Sequence, residues 1–163
     1  ILIGDSQSVQ RGLSSFGGEM EELKEILDNS KENALILIDE IASGTNPVEG
    51  LALTKSLIAY LSRHPYIALL TTHFDHVAAG SRTKTMQVRG LADVDFAKLI
   101  RELRYANRKE RIEIISKHMD YRLYQVDVSS QTPRDALNIA KMLGIYDEII
   151  DNAKKIIEEE AVR

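Results

Sequence analysis

The chain has 163 residues, 44% hydrophobic and 28% charged, enough for one compact domain with its own core and ordinary for a soluble globular protein. Its net charge of −4 argues against a generally basic, nucleic-acid-coating surface, and the absence of cysteine excludes disulfides and thiolate metal sites, which fits a reducing cytoplasm. No apolar run approaches the roughly 20 residues that span a bilayer, and no signal-peptide pattern is present, so no membrane association is expected.

Ile1-Leu2-Ile3 opens without Met in what reads as core, so the chain is expected to be part of something longer. The polar stretch Gly4-Asp5-Ser6-Gln7-Ser8 then reads as a loop after a strand edge. From Ser14 or Ser15, both good N-cap residues, Phe16, Met20, Leu23 and Leu27 recur at helical spacing and predict an amphipathic helix. Residues 29–33 break it.

The run Ala34-Leu35-Ile36-Leu37-Ile38 predicts a buried strand, and it ends in two adjacent carboxylates, Asp39-Glu40. A turn rich in Ser, Gly, Thr, Asn and Pro follows. Pro47 suits the first turn of the next helix, whose apolar side is expected at Val48, Leu51, Ala52, Ile58 and Leu61. His64-Pro65 ends it. A second buried strand, Ile67-Ala68-Leu69-Leu70, runs into Thr71-Thr72-His73. Strand, helix and strand within about forty residues make a βαβ unit, so the sheet is expected to be parallel here.

Residues 83–89 read as a shorter, more exposed strand. The block 95–118 is charged and helical, with no chemistry legible in it. A strand is expected at 121–128, a helix at 133–143 closed by Gly144, and a second helix from Asp147 to about Glu160, making a helix–turn–helix.

The chemistry concentrates at strand ends. The carboxyl end of a parallel strand is where side chains meet a ligand crevice. An Asp there can hold Mg²⁺, and a neighbouring Glu can deprotonate the water that attacks a γ-phosphate. An ordinary charged turn would carry the same two residues. His73 ends the neighbouring strand, where a phosphate sensor would stand; a surface histidine is the plain alternative. His73-Phe74-Asp75-His76 offers too few ligands to favour a metal site. In "LSSFGGEM", residues 13–20, hydroxyls and free backbone N–H groups at a helix N-terminus could hold an anion, or simply cap the helix.

Taken together and in this order, these elements resemble the ATPase domain of the MutS family, a branch of the ABC-type ATPases. The resemblance covers residues 4–74 and resumes from about 121 to 159. "LILIDE" resembles the Walker B motif, which implies Asp39 for magnesium and Glu40 as general base. "SGTNPVEG" resembles the D-loop, which implies Gly44, Thr45, Asn46 and Pro47 at a subunit interface. "TTH" is similar to the switch-histidine motif, implying that His73 senses the γ-phosphate. "LSSFGGEM" resembles the signature segment, whose Ser, here Ser14 or Ser15, reaches the γ-phosphate bound by the opposite subunit. Residues 136–157 resemble the helix–turn–helix that braces the family's dimer.

The phosphate loop GxxxxGK[ST] is not found in this chain: residues 12–17 approach it, but Gly18 and Glu19 stand where Lys and a hydroxyl are needed. The resemblance places that loop upstream of Ile1. Asn46, where repair-type members more often carry Ser or Asp, and Pro133-Arg134-Asp135, where a Gly-and-Ser turn is usual, depart from the mismatch-repair pattern. In these details the chain resembles MutS-like ATPases that sit beside cobalamin-dependent amino-acid aminomutases, for which a chaperone or reactivating role is inferred.

The resemblance therefore implies an α/β domain, a partly parallel sheet flanked by helices. Residues 1–128 would form the C-terminal lobe, with 95–118 as an insert, and 129–163 the helix–turn–helix. It implies ATP and Mg²⁺, a homodimer or a related MutS-like partner, and DNA contact only through domains outside this chain. The roles left open are mismatch repair, aminomutase maintenance, and a non-catalytic dimerisation module.

Overall fold

The computed structural model describes residues 2–3, 15–78, 83–126 and 135–161. The expected loop at 4–8, Ser14 and the turn at Pro133-Arg134 lie outside those residues. The described residues give a mixed α/β chain, dividing into two compact units, 1–85 and 86–163.

In the first unit, β1 (Leu2–Ile3), α1 (Ser15–Asn29), β2 (Leu35–Asp39), α2 (Pro47–Leu61) and β3 (Ile67–Thr71) follow one another. The strands lie in the order β1-β2-β3 and pair in parallel. Leu35 faces Ile67 across the ladder, Leu37 faces Leu69, and Asp39 faces Thr71. The expected βαβ unit is present, with α2 as its crossover.

The core lies on one face of this sheet. Ile36 and Ile38 are buried among Leu23 and Ile26 of α1 and Leu57 and Leu61 of α2, with Ile41 and Ala42 completing the cluster. Each such Leu or Ile contributes about 1.5 to 3 kcal/mol by leaving water. Because strand side chains alternate, Leu35, Leu37, Ile67 and Leu69 fall on the opposite face. There Ile67 and Leu69 are 65% and 63% exposed. The expectation of a buried second strand is thus corrected. A continuous apolar run reads as burial on both faces, but among the described residues the helices cover only one.

Helix α2 buries Leu61 as expected but otherwise turns a different face inward: its other buried residues are Gly50, Thr54 and Leu57, whereas Val48 is 76% exposed. The reason is steric. A Cβ on Gly50 would stand 2.7 Å from Phe74 Cζ and 2.9 Å from the Ala42 carbonyl, so the helix packs here only because it has no side chain at this position. Thr54 Oγ1 satisfies itself on the Gly50 carbonyl at 2.8 Å.

The second unit, which takes all of β4 (Thr85–Gly90) but its first residue, also holds α3 (Phe96–Leu103), α4 (Arg108–His118), β5 (Asp120–Val126), α5 (Ala136–Met142) and α6 (Asp147–Ala161). Strands β4 and β5 pair in a separate two-stranded sheet. Leu91, Leu99, Leu103, Ile115 and Met142 form its core. Asp95 caps α3, and Asn107 with Glu110 forms a reciprocal capping box on α4. Gly144, at φ +98°, ends α5: its N–H reaches the Lys141 carbonyl and that of Ile145 reaches Ala140, the paired bonds of a Schellman cap.

Candidate active site

The parallel register brings the strand-end residues together. Asp39 closes β2 directly beside Thr71 at the end of β3, and the Thr71 hydroxyl donates to Asp39 Oδ1. The next residue is tied to the same threonine. The Glu40 N–H lies 3.2 Å from both the carbonyl oxygen and Oγ1 of Thr71. Both carboxylates are exposed. Thr71 was not singled out from the sequence; aligning the two strands by their apolar runs would have found it.

The chain leaves β2 through an unusual turn. Glu40 and Ala42 adopt φ +51° and +62°, the left-handed region that a non-glycine residue enters at a cost of roughly 1–2 kcal/mol. Ile41 between them is buried. Such conformations persist only where the surroundings over-determine them, and they cluster at functional sites. Here the Ala42 N–H donates to Glu19 Oε2 at 3.0 Å, and the Ala42 carbonyl lies against Gly50.

The remaining expected residues follow from this turn. Gly44 is exposed and Thr45 half-buried, both in the connection to α2. Asn46 caps α2: its Oδ1 accepts from Val48 N–H at 2.9 Å and Glu49 N–H at 3.4 Å. His73 stands two residues beyond Thr71, at the same end of the sheet, exposed, with its ring 4.3 Å from that of Phe74. Phe74 in turn packs against Gly50. Ser15 opens α1, while Ser14 lies outside the described residues.

Asp39, Glu40, Thr71 and His73 therefore share one edge. A hard carboxylate oxygen suits Mg²⁺, which is commonly held by one or two carboxylates together with water and substrate phosphates. Asp39, with one oxygen engaged by Thr71, fits that auxiliary role. Among the described residues no group of three His, Cys, Asp or Glu could hold a metal alone.

The exposed carboxylate pair stands at the carboxyl end of a parallel strand, with His73 just past the end of the neighbouring one, and the carboxyl ends of such strands are where open α/β sheets meet ligands. The chain belongs to the MutS family: the family model described as MutS domain V matches residues 2–160. The resemblance drawn from the motifs is borne out at that level. The chain is 32% identical over 165 residues to a protein of Clostridium botulinum (strain ATCC 19397 / Type A) named Endonuclease MutS2, covering 99% of this chain and 18% of that protein. Proteins of the same name from Carboxydothermus hydrogenoformans and Fusobacterium nucleatum are 32% and 31% identical over 99% and 97% of this chain. The chain thus spans about a fifth of these curated relatives, 18% of each.

Proposed function

We propose that this chain is the part of a MutS-like ATPase that supplies the water-activating end of a shared ATP site, in a protein that works as a dimer. The register that sets Asp39 and Glu40 beside Thr71, with His73 beyond, carries the reading. Asp39 would be the chain's own ligand to Mg²⁺ brought in with ATP; the ion, when bound, neutralises charge on the phosphate oxygens. Glu40 accepts a proton from the attacking water. His73 meets the γ-phosphate as charge develops on it. Ser14, or Ser15 beside it, reaches the nucleotide of the opposite subunit. Gly44, Thr45 and Asn46 line the face where subunits meet.

Residues 129–163, with α5 and α6, are proposed as the helix–turn–helix that braces the dimer, the partner being a second copy or a related MutS-like subunit. The name Endonuclease MutS2 carried by the relatives favours a DNA-directed role over aminomutase maintenance. DNA contact is assigned to other parts of the protein, and the cysteine-free composition fits a cytoplasmic setting.

The test is ATP turnover by the intact protein. Glu40→Gln keeps the shape of the side chain but cannot accept a proton, so nucleotide binding should persist while hydrolysis falls. Removal of a general base costs on the order of 100- to 10,000-fold. Unchanged turnover would reject Glu40 as the base.

A further inference from the structure

Glu19 has no role in the chemistry above, yet among the described residues it is the one charged side chain that is buried, at 8% exposure. Removing a carboxylate from water costs several kcal/mol unless hydrogen bonds compensate. Its Oε2 accepts the Ala42 N–H at 3.0 Å, across 23 residues of sequence. Ala42 is fully buried and left-handed, and Glu40, two residues earlier, is left-handed as well.

These facts bear on one another. Two left-handed non-glycine residues, separated only by the buried Ile41, form a turn that would relax to ordinary backbone if released. Thr71 holds the turn at its start, through the Glu40 N–H. Glu19 holds it at its far side. We propose that Glu19 is a positioning residue, which by gripping Ala42 fixes the direction in which Glu40 leaves the end of β2. The role of Glu40 in this inference rests on the ATPase reading above.

Glu19 also lies four residues after Ser15, in the first part of α1. The same hydrogen bond therefore joins the start of that helix to the turn that aims the carboxylate.

The experiment uses the intact protein with Glu19→Ala, Glu19→Gln and Glu40→Gln, read by ATP turnover and by amide hydrogen exchange over residues 39–46. Gln retains an oxygen that accepts from Ala42; Ala does not. Glu19→Ala should raise exchange in this segment and lower kcat at least 10-fold with KM within about 3-fold, as expected for a misaimed base rather than lost binding. Glu19→Gln should recover most of both. Unchanged exchange in Glu19→Ala would overturn the grip on the turn. Raised exchange with unchanged kcat would overturn the positioning role, and so would Glu19→Gln as impaired as Glu19→Ala. If Glu19→Ala fails to fold, Glu19→Gln decides: near-normal exchange and kcat support the acceptor role, and a loss of either overturns it. Failure of the ATPase reading shows separately, as Glu40→Gln leaving turnover intact.

Discussion

At the scale of single residues, the site is built by pairs that differ greatly in how visible they are beforehand. Asp39, Glu40 and His73 are legible in the sequence because apolar runs end in them, and strand ends are where ligands meet a parallel sheet. Thr71 and Glu19 are not, since each matters through a partner more than twenty residues away. Gly50 is equally silent in sequence, yet its missing side chain lets α2, Phe74 and the Ala42 carbonyl meet. Gly50→Ala would place a methyl group 2.9 Å from a backbone oxygen that cannot rotate away. Overpacking of this kind costs about 1–3 kcal/mol. Thermal unfolding should register that loss, and His73, whose ring rests on Phe74, should lose order with it. A melting temperature equal to that of the parent protein would mean the helix shifts freely, and the close approach would then be incidental.

Helices and strands were easier to foresee than the faces they bury. Pro47 at the start of α2 and Gly144 at the end of α5 act as sequence signals because each supplies a backbone geometry that other residues resist. Beyond Leu61, the face of α2 is not legible in the sequence because apolar residues surround most of that helix, leaving periodicity little to choose between. The close approach at Gly50 chooses instead. The burial of β3 was misread for a related reason: a run of apolar residues states that a strand can be covered, not which of its faces is. Asn46 tests the element directly. It caps α2 through two backbone N–H groups, and replacing a capping Asn by Ala costs about 0.5–2 kcal/mol. Asn46→Ala should therefore lower stability in denaturant melts, while Asn46→Ser, which can still cap, should lose much less. Equal losses in the two variants would assign Asn46 some role other than the cap.

For the whole molecule, the proposed sharing of ATP sites between subunits makes a prediction that no single variant can. Ser14→Arg would spoil the signature segment that one subunit offers, and Glu40→Gln the base within the other. Alone, each variant damages both sites of its dimer. In a mixed dimer, one composite site collects both lesions and the other has none. Mixed dimers should recover up to half of the parental turnover, and confirmed mixed dimers without recovery would refute a role for Ser14 across the interface. The sheet of the first unit carries a different kind of consequence. The side bearing Ile67 and Leu69 is exposed among the described residues. Copies prepared in isolation should bind fluorescent apolar dyes and melt at temperatures that climb with protein concentration, since self-association stabilises by mass action. Leu69→Lys, which sets a charge in the middle of that side, should make the melting temperature independent of concentration and weaken the dye signal.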